Sequence, residues 1–516
     1  MKEKIIVVDF GSQYTHLLTQ RIRSLGVYSE IIFPEELKQD IGSDPSIKGL
    51  VFSGGPMSVY DESSPKVDRD LVLSLNIPIL GVCYGHQLLA YLLGGEVASG
   101  ESGEYGKTVL YIHDTDNPLV KDIPERSVVW MSHKDVVLKP PQGFSLVAST
   151  DYSPVAIMAN DELKMYSTQF HPEVRHTEYG EVLLKNFVYD ICGCTGGWSP
   201  MDLVESFVKE HSHLSRERAL VAVSGGVDST VTAVILRKVF GDNLYPVFID
   251  TGLLRYKEGE WVKNLFKKLG FENLIYIDAS EIFLERLKGV IDPELKRRII
   301  ADTFFEVFKE TADKLAKDYG EIKYLGQGTL YPDRVESGKT GRYTDKIKSH
   351  HNVSMSRLLG FKLLEPLKDM YKDEVREVGR RLGLPEEVIT RHPFPGPGLA
   401  VRIVGEITRD RLEILREADR IVEEMLREHG LYERLWQAFP VLLTLKSVGI
   451  KGDRRSYEYI LALRMVESVD AMTANFAKLP WSFLEELSSR LLNEVEGINR
   501  VVYDISNKPP ATIEFE

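Results

Sequence analysis

The sequence predicts an α/β protein of three domains: two halves built on parallel sheets, then a smaller α+β domain. Three observations carry that prediction. Short apolar runs alternate with helical patterns through the first two hundred residues and again from Ala219 onward, the pattern of a sheet covered by helices. Two breaks rich in glycine and proline, at 192–200 and 393–398, interrupt it. The length of 516 residues exceeds what one core usually organises, at roughly 150 residues per domain. The boundaries expected are therefore 1–193, 194–393 and 394–516.

Taken in order, residues 5–8 read as the first strand, 15–25 as a helix, 49–52 and 77–82 as further strands, and 87–93 as the helix that follows. From 109 the texture changes. Strands at 109–112, 128–131, 144–147, 155–158 and 165–168 recur with turns and little helix between them, which predicts an antiparallel extension of the same sheet. The stretch Cys192 to Pro200 holds three glycines and reads as linker. A helix over 200–211 leads to a strand at 219–223, then to strands at 245–249 and 274–277. Pro393-Phe394-Pro395-Gly396-Pro397-Gly398 can neither continue a helix nor join a ladder, since three of six residues lack an N–H and two more are glycines. Beyond it are expected a long charged helix over 409–427, a helix near 472–476, and strands at 441–445, 460–465 and 500–505.

Composition excludes several classes. A net charge of −13 leaves no basic field for nucleic acid. With 43% hydrophobic and 27% charged residues the chain is not predominantly disordered. Three cysteines cannot build a disulfide framework and point to a reducing, cytoplasmic setting. The apolar run after Met1-Lys2-Glu3-Lys4 is far shorter than a signal segment, and no run reaches the ~18 residues of a membrane span.

Gly81-Val82-Cys83-Tyr84-Gly85 follows an apolar strand and precedes a helix, the setting of a nucleophile elbow with sulfur in place of oxygen. A lone cysteine at a strand end is otherwise a small buried hydrophobe. A base and its orienter are available in His171-Pro172-Glu173 at the end of strand 165–168, the proline turn bringing the carboxylate to Nδ1. The N–H groups of Ser53-Gly54-Gly55-Pro56, with that of Tyr84, offer oxyanion donors. His86 starts the helix and is expected to point away from the sulfur.

Together Ser53 to Pro56, Gly81 to Gln87 and Gln169 to Glu173 resemble the three signature segments of class I glutamine amidotransferases. The resemblance implies that Cys83 attacks the side-chain amide of glutamine, His171 serves as base then acid, Glu173 orients His171, Gly55 and Tyr84 supply the oxyanion hole, and ammonia leaves as a glutamyl thioester forms.

Ala222-Val223-Ser224-Gly225-Gly226-Val227-Asp228-Ser229-Thr230 leaves a buried strand and enters a helix, presenting backbone N–H groups to an anion. It is not a Walker A loop, which needs Gly, four residues, then Gly-Lys-Ser or Gly-Lys-Thr; here an Asp occupies the loop and would repel phosphate unless a divalent cation lay between. A bare Gly-Gly here would be an ordinary turn with Ser229 as helix cap. The full string resembles the pyrophosphate loop of N-type ATP pyrophosphatases. That implies ATP as co-substrate held by Ser224, Gly225, Gly226, Val227, Asp228 and Ser229, Mg2+ at Asp228, and adenine and ribose near Phe248 and the segment Asp250 to Arg255.

A glutaminase joined to an ATP pyrophosphatase implies transfer of amide nitrogen to an adenylated oxygen. Gly326 to Ser337, Ile347 to Val353, Pro393 to Leu399 and the terminal Lys508 to Glu516 are similar, in order, to the GMP synthetase family. The resemblance implies a C–N ligase with XMP as acceptor, XMP or lid contacts at Arg334, Lys348, His350, His351, Lys508, Ile513 and Glu514, and a homodimer formed through the last domain. By themselves Lys348, His350 and His351 are a donor-rich loop suited to phosphoryl oxygens, but an isolated Lys-Ser-His-His reads better as a solvated turn, and only the ordered company of the other motifs reverses that. The chain departs from the family at Ser354 to Arg357, which is usually Gly-rich, and at Phe515, commonly Trp. A nicotinate dinucleotide or a tRNA base as acceptor, or a non-enzymatic nucleotide sensor, are the competing readings. Cys192 and Cys194 lack further cysteine partners, so no zinc site is expected.

Overall fold

Lys4–Val8 forms the strand β1, buried on both faces, as its unbroken apolar run requires of a central parallel strand. It belongs to a computed structural model whose described residues are 3–339, 360–451, 453–468 and 473–516. The chain divides into two compact units, Met1–Leu203 and Val204–Glu516.

In the first unit β1 is followed by α1 (Thr15–Ser24), β2 (Tyr28–Ile32), β3 (Ile47–Phe52), α2 (Arg69–Ser74), β4 (Ile79–Val82) and α3 (Tyr84–Leu92). Then come β5 (Glu96–Ile112), β6 (Arg126–Lys139), β7 (Ser145–Ser149), β8 (Ile157–Asn160) and β9 (Met165–Thr168). They form one nine-stranded sheet, β2-β1-β3-β4-β9-β8-β7-β5-β6. Its first half is parallel and the rest an antiparallel extension. The pairing that matters most is β4 with β9: Val82 stands opposite Thr168, and the Cys83 N–H donates to the Thr168 carbonyl at 2.8 Å. Two segments far apart in sequence therefore end side by side, one carrying Cys83 and the other His171.

The stretch read as linker is bound to this unit. Cys194 is buried in its core, the Thr195 N–H donates to Glu3 Oε2 at 2.9 Å, the Trp198 N–H donates to the Gly26 carbonyl at 2.9 Å, and the Trp198 ring packs on Tyr28. Its apolar residues had a core to bury in, and that outweighed the glycines.

After α4 (Gly180–Lys185) and α5 (Pro200–His211), the second unit runs through β10 (Ala219–Ala222), α6 (Val227–Phe240), β11 (Leu244–Asp250), α7 (Glu258–Lys268) and β12 (Ile275–Asp278), continuing to β13 (Tyr324–Gly326) and β14 (Lys362–Leu364). These strands are all parallel, in the order β12-β11-β10-β13-β14. The winding reverses between β10 and β13, and in open α/β sheets ligands bind at the carboxyl ends of strands at such a point. A second sheet holds β15 (Ile403–Val404), β16 (Gln437–Lys451), β17 (Arg454–Glu467), β18 (Asn475–Phe476) and β19 (Ile498–Tyr503). The helices Arg409–Glu428 and Trp481–Glu494 pack with it.

Over its described residues, 473–476, the helix expected near 472–476 is not formed. Asn475–Phe476 pairs as β18 with Glu467 and Val466, and the Phe476 N–H donates to Asn507 Oδ1 at 3.1 Å. Five residues cannot offset the nucleation cost of a helix, whereas a waiting strand edge supplies hydrogen bonds at once.

Candidate active site

Cys83 sits on a sharp elbow between β4 and α3, with φ 53° and ψ −105°. Few non-glycine residues adopt such a backbone, and the strain is held by close packing on both sides. A Cβ on Gly81 would lie 2.6 Å from the Gly85 carbonyl oxygen, and one on Gly85 would clash with the carbonyl of Phe52 on β3. Both glycines are thus needed for the turn to close. The N-terminus of α3 begins at the next residue and favours negative charge on the sulfur.

Cys83 and His171 are close enough to influence each other electrostatically. The glycine between them shows how close they are: a Cβ on Gly54 would lie 3.1 Å from His171 Cε1 and 3.5 Å from Cys83 Cβ. His171 Nδ1 and Glu173 Oε1 are 2.7 Å apart. All three are shielded from water, at 4%, 3% and 2% exposure. Burial alone would lower the His171 pKa, but the Glu173 carboxylate and the Cys83 sulfur hold it well above the ordinary imidazole range. The His171–Glu173 turn is fixed by its backbone: the His171 N–H donates to the Trp130 carbonyl at 3.1 Å, the Thr177 hydroxyl to the His171 carbonyl at 2.7 Å, and Arg21 Nε to the Glu173 carbonyl at 3.0 Å. Gly55 and Tyr84 are neighbours, a Cβ on the former falling 3.2 Å from Tyr84 Cγ. A buried thiol, imidazole and carboxylate in this order can carry out acyl transfer through sulfur.

His86 points elsewhere. Its Nδ1 pairs with Ser167 Oγ at 2.8 Å and its Nε2 with the Val155 carbonyl at 3.0 Å, and burial pushes its pKa down to about 3.

In the second unit the loop after β10 turns back on itself before α6. The Ser224 N–H donates to Ser229 Oγ at 3.1 Å, and the Ser229 hydroxyl reaches the Gly226 carbonyl at 3.2 Å. Gly226, not Ser229, occupies the helix cap position. Gly225 has φ +78°, and a Cβ there would meet Val262 and Trp261 of α7, so this position requires glycine. Val227 is buried, while Ser224 is exposed at the mouth. Asp228 Oδ2 is paired with Lys372 Nζ, and Asp228 Oδ1 is buried without a hydrogen-bond partner. Among the described residues no three His, Cys, Asp or Glu side chains cluster to hold a metal, so a cation at Asp228 would draw its other ligands from phosphate and water. The loop Gln327–Thr329 after β13 lies alongside: a Cβ on Gly328 would fall 3.5 Å from the Asp228 backbone. The Phe248 ring is buried in the sheet against Tyr276.

The other predicted residues of this unit that are described have the following partners. Arg334 is paired with Asp369 at 2.6 Å. Lys508 bridges to Ala474 through its backbone. Ile513 packs against Phe439, Val441 and Ala462. Glu514 accepts both arms of the buried Arg402, at 3.1 and 3.0 Å, and the Gln437 amide at 2.7 Å. Arg464, also fully buried, donates to the carbonyls of Ser506, Thr512 and Ile513. Lys348, His350, His351 and the segment from Ser354 to Arg357 lie outside the described residues.

Lys372 escaped the sequence reading. It opens the helix Lys372–Arg381, where a cation opposes the helix dipole. That misplaced charge was the available signal, and Asp228 is its partner.

Comparison with known proteins agrees over the whole length. Residues 6–191 match the family "Glutamine amidotransferase class-I" and residues 424–515 match "GMP synthase C terminal domain". The GMP synthase (glutamine-hydrolyzing) of Carboxydothermus hydrogenoformans is 51% identical over 519 residues, covering 100% of both chains. The proteins of the same name from Caldanaerobacter subterraneus and Aquifex aeolicus are each 50% identical, covering 100% of this chain and 99% and 100% of theirs. With half of its residues shared end to end with these relatives, the chain belongs to the family of glutamine-hydrolysing GMP synthases.

Proposed function

We propose that this enzyme is a C–N ligase that makes GMP from XMP, consuming ATP as co-substrate and glutamine as the ammonia donor. The observation that carries the reading is the presence in one chain, end-to-end similar to GMP synthases, of a buried Cys83–His171–Glu173 set and a glycine loop at the switch point of a second parallel sheet. Cys83 attacks the glutamine amide, ammonia departs with a proton from His171, and water then cleaves the thioester to glutamate. In the second unit the O2 oxygen of XMP attacks the α-phosphorus of ATP and pyrophosphate leaves. Ammonia attacks C2 and AMP departs. Fusing the two activities keeps the nitrogen unprotonated, since ammonium has no lone pair with which to attack.

In this reading Ser224, Gly225, Gly226, Val227 and Ser229 hold the pyrophosphate through backbone N–H groups and hydroxyls, with Lys372 as an added cation. Phe248 lines the adenine side. The orphan Oδ1 of Asp228 fits Mg2+, which when bound would neutralise phosphate charge. Arg334, Lys348, His350, His351, Lys508, Ile513 and Glu514 serve XMP and its lid.

A division at 1–193, 194–393 and 394–516 suits these roles, the last part forming a homodimer. Its β16–β17 hairpin exposes Val448, Ile450 and Tyr457 at 53%, 77% and 58%, an apolar patch suited to a second copy. A cytoplasmic location fits the three free cysteines; no helix among the described residues is long and apolar enough to cross a membrane. The experiment is AMP release with glutamine, MgATP and a panel of acceptors. XMP alone should support it, and equal release with a nicotinate dinucleotide would displace the reading.

A further inference from the structure

The ladder between β5 and β6 is broken beside the Cys83 site. Ser99 pairs with Asp135 and the next pair is Glu104 with His133, so the register of the ladder shifts between Ser99 and Glu104. Bulges re-aim side chains and recur next to active sites. Here the bulge places a carboxylate inside the protein: Glu104 and His133 are each 5% exposed. Glu104 Oε2 faces His133 Nε2 at 3.2 Å and accepts from the Ser153 hydroxyl at 3.0 Å, while Oε1 accepts from the Thr150 hydroxyl at 3.1 Å. His133 Nδ1 faces the Asp135 carbonyl at 3.0 Å. Burial works to raise the Glu104 carboxyl, but these hydrogen bonds and the charge of His133 hold it below the usual carboxylate range. The acid is thus kept ionised in the interior, an arrangement that is expensive unless every oxygen is satisfied.

What the pair anchors is the segment of β6 that borders the nucleophile. The Ser132 carbonyl lies 3.8 Å from Cys83 Sγ. The Asp135 carbonyl accepts the Gln87 amide at 2.7 Å, one turn along α3 from Cys83, and the Asp135 carboxylate accepts from Ser58 Oγ at 2.5 Å. Gln87 also touches Gln169, two residues before His171, at 3.3 Å. Neither Glu104 nor His133 belongs to the thiol–imidazole–carboxylate set, yet both flanks of His133 are tied to it.

We propose that Glu104 and His133 are positioning residues for glutamine hydrolysis, fixing Ser132 to Asp135 as the wall against which glutamine is held beside Cys83. The inference rests on the reading of Cys83 as the glutaminase nucleophile. Because the pair shapes the wall and not the reacting atoms, its loss acts on the capture of glutamine.

The test uses the full-length enzyme with Glu104→Gln and His133→Gln, singly and together. Each single variant should raise KM for glutamine at least tenfold with kcat within threefold, and slow inactivation by a diazoketone analogue of glutamine tenfold. Alkylation of Cys83 by iodoacetamide, which needs no substrate wall, should stay within threefold. The double variant should be no worse than the worse single one, because both act through one contact. Glu104→Asp should recover part of the loss. Should Glu104→Gln fail to fold, Ser153→Ala removes one donor to the carboxylate and should raise KM three- to tenfold. An unchanged KM in the folded variants, or iodoacetamide and diazoketone rates falling together, overturns the proposal. Cys83→Ala separates the two readings: if it still uses glutamine, the nucleophile assignment fails, and if it does not while Glu104→Gln keeps its KM, only the positioning role fails.

Discussion

Replacing Glu173 by Gln keeps the shape of the His171 partner and deletes its charge. In the native site His171 Nδ1 and Glu173 Oε1 are 2.7 Å apart and both residues are almost fully buried. With charge centres about 4 Å apart and an effective dielectric near 20, the attraction lost when His171 carries the thiol proton is about 4 kcal/mol. At 1.36 kcal/mol per decade this is roughly a thousandfold in rate. The shift belongs to the glutamine half-reaction alone. The assay is GMP formation with saturating glutamine, compared with the same enzyme given high ammonia. Glutamine-dependent turnover should fall about a thousandfold with the ammonia-dependent rate within twofold of native. A loss below tenfold, or a parallel fall of both rates, would refute the claim that Glu173 acts by stabilising the His171 imidazolium.

Asp228→Ala should abolish synthesis from either nitrogen source; retained ammonia-dependent synthesis would remove Asp228 from the ATP site. Gly85→Ala drives a methyl group into the Phe52 carbonyl and should destabilise the first unit by about 2–3 kcal/mol, read as a lower urea midpoint; an unchanged midpoint would mean the elbow is slack. His86 is neutral when folded, with its pKa pushed down to about 3 by burial. Below about pH 6.5 the unfolded chain takes a proton that the folded chain refuses, so stability falls as pH falls, by about 1.4 kcal/mol per unit. His86→Gln should flatten that dependence between pH 6.5 and 4 in urea titrations, and an unaltered slope would contradict it.

Much of the glutaminase half was legible in the sequence because its chemistry sits on local motifs. The elbow at Cys83 and the turn at His171-Pro172-Glu173 are each specified within five residues, and glycine is dictated at 81 and 85 by the carbonyls it must pass. The parallel pairing of β4 with β9 that brings the two together was not legible: the sequence places strand 165–168 in the antiparallel extension, and only the folded sheet sets it beside β4. The glycine loop between β10 and the helix Val227–Phe240 was readable for the same reason. Lys372 was not, because its partner is 144 residues away and a helix-start lysine on paper resembles solvated charge. Glu104 was hidden by the bulge, which only a paired ladder reveals. The Cys192 to Pro200 stretch is irregular as its glycines suggest, but glycine content says nothing of the neighbouring core that takes Cys194 or of Tyr28, on which Trp198 packs. Likewise the helix expected at 472–476 gave way to a strand edge outside any local window.

The central claim is that one chain moves the amide nitrogen of glutamine onto XMP, and isotope transfer tests it most directly. Purified enzyme is given amide-15N glutamine, XMP and MgATP in excess unlabelled glutamate, and GMP is analysed by mass spectrometry alongside AMP. The account predicts GMP labelled at its exocyclic amine, one AMP per GMP, and no labelled GMP from Cys83→Ala. Unlabelled GMP, or AMP released without GMP, would contradict it.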